Sequence, residues 1–234
     1  MGKIETSKGT IRYRMVPLYP GVKIINREIS AENLLLLKAV LDRNAIPFTL
    51  IAGTLLGAVR EEDFIAHDED VDLALLSEDK ERLFDALPEV IEAGFTIARY
   101  NRRGVLSVMR RGEYIDLYLF RPIGNGRRSC DGWIVLEEHL TDVAPFCFKG
   151  AEYLAPRAYE DYLVTEYGPD WRTPVVWNNY QMPAWRRALF CLKEHLKEWL
   201  PDALYFRLAR RAERRYEARC EARLKRYFEI KNKQ

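Results

Sequence analysis

The segment spanning residues 48–73 constrains the fold and the chemistry of this chain more than any other. Its first part, residues 48–52, is a short apolar run that predicts a buried strand, and the run stops at a glycine. Gly53 permits a sharp backbone turn, and Thr54 can cap a short helix that follows. Free N–H groups and the positive dipole end of such a helix favour phosphate binding, so we expect a phosphate site there.

The second part of the segment carries two aspartates at the start of another apolar run. Asp70 and Asp72 belong to DVDLALL, residues 70–76, which predicts a strand. Because side chains alternate across a strand, both aspartates share one face while the apolar residues take the other. Two crowded carboxylates repel each other, and a hard divalent cation that prefers oxygen ligands separates them best.

A third aspartate lies inside a later apolar and aromatic run. Asp116 is the third residue of YIDLYLF, residues 114–120, which also predicts a strand. A carboxylate from a neighbouring strand would complete a clamp of the kind that holds two metal ions. Acidic residues at a loop-to-strand junction can instead form a solvated edge, but two same-face aspartates are costly to bury without a metal. The sequence therefore favours a Mg²⁺ or Mn²⁺ site made by Asp70, Asp72 and Asp116.

These features resemble the nucleotidyltransferase fold, and two longer strings resemble the LicD family of bacterial phosphocholine transferases and their fukutin-related relatives. The first string joins GTLLGAVR, residues 53–60, to DFIAHDEDVDL, residues 63–73. The second joins YL at residues 162–163 to YGPDWRTP at residues 167–174. Two departures from the family pattern are Glu69, where many relatives carry aspartate, and Ala66, which replaces a more usual proline.

The resemblance implies a divalent-metal-dependent phosphotransferase. The donor would be CDP-activated, such as CDP-choline or a CDP-alditol. The acceptor would be a hydroxyl of a cell-surface glycan, such as lipopolysaccharide or capsule, or of its lipid-linked precursor. Asp70 and Asp72 would hold metal at the donor diphosphate, while Asp116 would share a metal and assist loss of the acceptor's proton.

Residues near the predicted helix start would contact the substrate. Gly53 and Thr54 would offer backbone and hydroxyl donors to the phosphate. Arg60 would neutralise charge that builds on the leaving CMP, although the pattern fits a surface arginine equally well. His67 fits a loop-shaping residue better than a base.

Two other functions fit the sequence less well. A nucleotidyltransferase that places AMP or another nucleotide on a small molecule would use the same fold and release pyrophosphate instead of CMP. A silent scaffold would use the fold only to recruit partners. The complete set of three aspartates argues against the scaffold, because a silent domain has no need to keep their repulsion.

The composition indicates a globular chain. Of its 234 residues, 48% are hydrophobic and 31% are charged. No apolar run approaches the roughly 20 residues that cross a bilayer, and the N-terminal residues lack the apolar core of a secretory signal. The four cysteines have no Cys-x-x-Cys spacing, which fits reduced thiols rather than disulfides or zinc. We therefore expect a cytoplasmic protein, with peripheral attachment to the inner face of the membrane as one option.

Hydrophobic patterns predict a mixed α/β fold in which helices flank a mixed sheet. Helices are expected at residues 30–43, capped by Ser30, and at residues 78–93. Strands are expected at residues 95–100, 105–110 and 114–120. The pattern becomes irregular over residues 121–183, where we expect an acceptor-facing lobe. Its aromatic residues fit core packing more often than stacking on a sugar or base; the candidates are Trp133, Tyr153, Trp171, Trp177 and Tyr180.

The last fifty residues differ in charge from the rest. We assign residues 1–183 to a catalytic domain and residues 184–234, with 15 Lys/Arg against 7 Asp/Glu, to a basic extension. Apolar residues recur every four positions there and predict one long helix; they are Leu204, Leu208, Ala212, Tyr216, Cys220, Leu224 and Phe228. The helix could pack on its own domain or a second subunit, or bind an anionic membrane surface. Nucleic acid is the least favoured partner, because no RNA-binding module accompanies the charge.

Overall fold

The computed structural model describes residues 2–18, 21, 23–175 and 182–232. The strands are, in chain order, β1 (Gly2–Thr6), β2 (Gly9–Tyr13), β3 (Thr49–Leu50), β4 (Val71–Leu76), β5 (Thr96–Asn101), β6 (Val105–Arg110), β7 (Glu113–Gly124), β8 (Arg127–Cys130), β9 (Trp133–Leu136), β10 (Val143–Phe148) and β11 (Ala151–Pro156). The helices are α1 (Arg27–Arg43), α2 (Ala52–Arg60), α3 (Lys80–Glu92), α4 (Glu138–Thr141), α5 (Tyr159–Tyr167), α6 (Ala184–Trp199) and α7 (Asp202–Lys231).

A mixed sheet forms the centre of the protein, in the strand order β10-β11-β3-β4-β7-β6-β5. β4 runs parallel to β7 and β11 runs parallel to β3, whereas the other neighbours along this path are antiparallel. β8 pairs with both β7 and β9, and β1 and β2 form a separate hairpin. The predicted mixed α/β fold is confirmed.

Two predicted helix starts are shifted by the local hydrogen bonding. α1 begins at Arg27 rather than Ser30, because the Asn26 side chain takes the N-cap position and accepts a hydrogen bond from the Ile29 N–H at 3.1 Å. Ser30 is buried within the first turn, where its hydroxyl lies 3.3 Å from the Glu113 carboxylate. α3 begins at Lys80, after a 3₁₀ turn over Ser77–Asp79. α1 buries its predicted apolar stripe, whereas α3 buries all of its predicted stripe except Ile91, which is exposed.

Residues 121–183 are more regular than predicted. Where an irregular lobe was expected, the described part of this range contains the end of β7, the strands β8 to β11 and the helices α4 and α5. The prediction of irregularity was wrong because the strands here are short, and glycines at sharp turns interrupt their alternation. Trp177 and Tyr180, two of the candidate stacking residues, lie outside the described residues.

The C-terminal segment forms two helices rather than the one predicted. α6 ends at Trp199 and α7 begins at Asp202, because Pro201 cannot continue the helix and takes the N-cap position of α7. α7 packs against β9 and α5, and it buries Tyr205, Cys220, Leu224 and Tyr227. The predicted apolar stripe is therefore only partly correct.

None of the described helices is long and apolar enough to cross a bilayer. The four cysteines are unpaired in the structure: Cys130 and Cys220 are buried, whereas Cys147 is exposed and Cys191 is partly exposed.

Candidate active site

Three carboxylates converge where β4 and β7 lie side by side. Asp70 precedes β4, Asp72 is its second residue, and Asp116 pairs in register with Asp72 across the parallel β4–β7 ladder. One oxygen from each side chain lies within 4.8 Å of those of the other two. The convergence expected from the alternation of side chains is therefore present, and the cluster has the oxygen donors that a divalent cation prefers.

The carboxylates at this cluster repel one another in a buried environment. Burial raises the pKa of Asp70 well above its usual range, and the neighbouring carboxylates of Asp72 and Asp116 raise it further. Burial, followed by the charges of Asp68 and Asp116, likewise raises the pKa of Asp72. A bound cation would remove this penalty, so the donor set fits a divalent metal.

Asp116 is held by two donors that the sequence did not single out. The Arg99 guanidinium donates a hydrogen bond to Asp116 Oδ2 at 2.7 Å, and the Ser107 hydroxyl donates to the other oxygen. Arg99 Nε also donates to Ser107 Oγ at 2.8 Å, which closes the network. Ser107 lies on β6, the neighbour of β7, and Arg99 lies on β5, one strand further out, so only the strand order reveals that both face Asp116.

The turn into α2 is strained at Ala52 rather than relaxed at Gly53. Ala52 has a φ of 49°, in the left-handed region that side chains disfavour. Its N–H donates to the Tyr162 hydroxyl at 2.9 Å, which holds the strained turn in place. A Cβ at Gly53 would lie 2.2 Å from Asp68 Oδ2. The missing side chain at Gly53 thus allows the close approach of Asp68, while the turn itself falls on Ala52 and not, as predicted, on Gly53.

Thr54 does not cap α2, because Ile51 takes the N-cap position. Thr54 is instead buried in the first turn, where its hydroxyl accepts a hydrogen bond from the Asp72 N–H at 2.9 Å. The Gly53 N–H donates to the Asp72 carboxylate. Both residues thus connect α2 to the second aspartate of the cluster, and their contact with substrate stays a prediction.

A cavity of about 780 Å³ opens over the three carboxylates. Its size is in the range of small-molecule and cofactor sites. The predicted residues Gly53, Arg60, Asp70, Asp72 and Asp116 line it. Several lining residues received no role in the sequence analysis: Asp68, Arg99, Tyr114, Tyr118 and Tyr167.

Arg60 closes one side of this cavity. Its guanidinium donates to the Trp171 carbonyl at 3.4 Å and to the Glu61 carboxylate at 2.7 Å. Its Nε is buried and has no hydrogen-bond partner among the described residues. A buried donor of this kind is unsatisfied in the free protein, so a hydrogen bond from it to an anionic ligand oxygen would stabilise the bound ligand.

A second cavity of about 550 Å³ lies between the body of the protein and α7. It shares Ala52, Asp72, Tyr118 and Tyr167 with the first, so the two cavities meet beside the carboxylates. Its remaining lining combines aromatic, acidic and basic side chains; it consists of Arg103, Cys130, Asp131, Trp133, Glu166, Glu213, Tyr216 and Arg223. The predicted stacking residue Trp133 faces this cavity but is mostly buried, and its Nε1 donates to Glu166 at 3.1 Å.

Comparison with protein families identifies the domain. The family described as LicD/FKTN/FKRP, nucleotidyltransferase domain, matches residues 45–158. Just under half of the chain therefore matches a LicD-family domain. The matched range contains β3, α2, β4 and β7, and therefore all three converging carboxylates. The resemblance expected from the sequence is confirmed.

Curated proteins are similar to parts of this chain. An uncharacterized protein of Rickettsia prowazekii is 27% identical over 157 residues, which cover 67% of this chain and 54% of the relative. The ribitol 5-phosphate transferase FKRP of Homo sapiens is 31% identical over 145 residues, which cover 56% of this chain and 29% of the relative. The alignments thus span about half of the first relative and less than a third of the second.

Among solved structures, the solution structure of the antibiotic-resistance factor ANT(2'')-Ia matches with a TM-score of 0.46 and 15% identity. It covers 84% of this chain and 97% of that chain.

Proposed function

We propose that this chain is a divalent-metal-dependent phosphotransferase. It moves a substituted phosphate, such as phosphocholine or an alditol phosphate, from a CDP-activated donor to a hydroxyl of a cell-surface glycan or its lipid-linked precursor. The observation that carries the proposal is the convergence of Asp70, Asp72 and Asp116 in a cavity of nucleotide size. The LicD-family domain and the similarity to a ribitol 5-phosphate transferase support transfer of a phosphate group.

The three aspartates would hold Mg²⁺ or Mn²⁺. When bound, such an ion neutralises charge on the transferring phosphate and eases proton loss from the attacking hydroxyl. Arg99 and Ser107 fix the Asp116 carboxylate from the side of the sheet, so that its oxygens keep one orientation. Thr54 and Gly53 do the same for Asp72, through its backbone N–H and its carboxylate respectively. Catalysis of this kind depends mainly on positioning and charge neutralisation.

The donor would occupy the larger cavity. Arg60 offers it a buried Nε without a protein partner, which suits an oxygen of the diphosphate or of leaving CMP. Gly53 borders this cavity at the start of α2, where its backbone would lie beside the donor phosphate.

The acceptor would occupy the second cavity, between the body and α7. Aromatic rings beside carboxylate and guanidinium groups suit a sugar, whose faces are apolar and whose edges carry hydroxyls. Tyr216 supplies such a ring, and Glu166 and Arg223 supply the polar groups. Because both cavities border Asp72, a hydroxyl in one would reach a phosphate in the other beside the carboxylates.

The division into a catalytic domain, residues 1–183, and a helical extension, residues 184–234, stays part of this proposal. So do a cytoplasmic location and the formation of homo-oligomers.

The proposal is tested by product analysis. The protein is incubated with CDP-choline, CDP-ribitol or ATP, each with Mg²⁺, with Mn²⁺ or with EDTA, and nucleotide products are separated by chromatography. We expect metal-dependent release of CMP from one CDP-linked donor, slowly by hydrolysis and faster with a glycan acceptor. Release of pyrophosphate from ATP together with a nucleotide-modified acceptor would instead establish a nucleotidyltransferase. Absence of any metal-dependent nucleotide binding by calorimetry would favour the scaffold and refute both enzymes.

A further inference from the structure

Helix α6 carries a continuous apolar stripe that faces solvent. The stripe consists of Trp185, Leu189, Leu192, Leu196 and Trp199, spaced four, three, four and three residues apart. This spacing places all five side chains on one face of the helix. They are 66%, 44%, 56%, 55% and 80% exposed, respectively. A row of large apolar residues with this exposure is unusual for a surface that meets only water.

The described parts of the chain leave the side chains of α6 largely uncovered. Among its described side chains none is buried, whereas α7 buries Cys220, Leu224 and Tyr227 against the body. α6 is tied to the body near its C-terminal end, where Arg102 donates hydrogen bonds to the carbonyls of Lys197 and Leu200 at 3.2 and 2.7 Å. Apart from Arg186, which lies over the Trp185 ring at 5.5 Å, no described residue shields the stripe from solvent.

Basic residues border the stripe along one edge. Arg186, Lys193 and Lys197 are spaced by seven and four residues, which places them in a row beside the apolar face. On the side of this row away from the stripe, Glu194 forms an ion pair with Lys197. A helix with leucines and tryptophans on one face and cations beside them has the pattern of an interfacial membrane helix. Tryptophan at both ends also fits this setting, because its ring favours the boundary between headgroups and acyl chains.

We propose that α6 binds to an anionic lipid surface, with its apolar stripe in the headgroup region and its basic row against the lipid phosphates. The stripe is too short for a coiled coil with a second copy, because it spans about two heptads where a stable pair needs three or four. The large indole rings at its ends would also disturb a close helix pair. The inference does not depend on the transfer reaction, although a surface-bound enzyme would stand beside a lipid-linked acceptor.

The proposal is tested by sedimentation of the purified full chain with vesicles. One set of vesicles contains phosphatidylcholine alone, and the other contains phosphatidylcholine mixed with phosphatidylglycerol. The test variant is Leu192→Gln/Leu196→Gln, which keeps good helix formers on a face that packs on nothing. The matched control is Leu35→Gln, because Leu35 is also an exposed leucine on a helix, 52% exposed, but belongs to α1.

We expect the wild-type protein to bind the anionic vesicles, to lose this binding at high salt, and to bind pure phosphatidylcholine weakly. The affinity of the double variant for the anionic vesicles should be lower by a factor of about ten or more, and Leu35→Gln should bind as the wild type does. Failure of the wild type to bind, or equal loss in both variants, would overturn the proposal. So would sedimentation equilibrium that shows a wild-type dimer and a monomeric double variant, since the stripe would then pair with a second copy. Donor hydrolysis, measured without vesicles, reports separately on the transfer reaction.

Discussion

Replacing Asp72 with asparagine separates the effect of the carboxylate cluster on folding stability from its role in binding metal. The oxygens of Asp70, Asp72 and Asp116 lie within 4.8 Å of one another. Two unit charges at that distance repel by about 3 kcal/mol at an effective dielectric constant of about 20. Part of this cost is avoided by proton uptake, which is why the pKa values of Asp70 and Asp72 are raised. Asparagine keeps the shape and can still accept the Gly53 hydrogen bond. We therefore expect the free energy of unfolding of the metal-free variant to exceed that of metal-free wild type by about 1–2 kcal/mol at neutral pH.

The gain corresponds to a rise in Tm of about 2–8 °C for a chain of this length. It depends on pH in a defined direction. Because the folded pKa of Asp72 is raised above its unfolded value near 4, metal-free wild type loses stability as the pH rises from there. The free energy of unfolding of Asp72→Asn should fall less over the same pH range. With Mg²⁺ the order reverses, because a ligand at a hundred times its Kd stabilises wild type by about 2.7 kcal/mol and the variant lacks one of the three donors. Transfer activity should fall at least about a hundredfold.

Thermal unfolding followed by circular dichroism, in EDTA and in Mg²⁺ at several pH values, measures the stabilities, and release of CMP from the donor measures the activity. The matched control is Asp79→Asn, which removes a buried carboxylate that pairs with Arg82 at 2.7 Å. The same chemical change should there lower the Tm in both buffers, because it breaks an attractive pair. A lower Tm for metal-free Asp72→Asn than for wild type, or equal stabilisation of both by Mg²⁺, would refute the electrostatic description of the site.

Three further substitutions near the site have effects that can be predicted from their surroundings. Gly57→Ala should cost about 2 kcal/mol or more in urea unfolding, because a Cβ would lie 2.5 Å from the Asp63 carbonyl oxygen; an unchanged midpoint would contradict this. Burial raises the pKa of Glu166 from 4.5 to about 7, so its ionisation opposes folding. Glu166→Gln should therefore remove a decline of about 3 kcal/mol in unfolding free energy between pH 4.5 and pH 7, and parallel pH profiles would argue against it. Tyr216→Ala should raise the acceptor KM about tenfold without changing donor hydrolysis, while Tyr216→Phe should behave as the wild type does. Equal effects of the two variants would show that the aromatic ring does not contact the acceptor.

The strands and their faces were predictable where apolar alternation is strong. The DVDLALL run predicted β4, and alternation alone placed Asp70 and Asp72 on one face. That β7 would be the neighbour of β4, with Asp116 directly opposite Asp72, is a property of strand order. Local pattern does not encode strand order, and the resemblance to the LicD family supported it instead.

Other features of the site have no signal in the residue pattern. The left-handed turn falls on Ala52, although a glycine follows it, because the Tyr162 hydroxyl holds the Ala52 N–H. Arg99 looks like an ordinary strand arginine until β5 is seen beside β6, whose Ser107 links it to Asp116. Both cases depend on contacts between residues distant in sequence, which only the tertiary structure supplies.

The two C-terminal helices are both basic and amphipathic, but they differ in what their apolar faces contact. A period of four residues suggested a single stripe, but Pro201 divides the segment, and only α7 returns to the body. α7 is fixed there by Tyr227, which donates to the Asp161 carboxylate at 2.6 Å, and by Arg223, which pairs with Glu166 at 2.7 Å. Asp161 and Glu166 both belong to α5, the helix whose Tyr162 holds the strained turn at the carboxylate site. α7 therefore braces the element that shapes the site, while α6 leaves its apolar face free for a surface outside the chain.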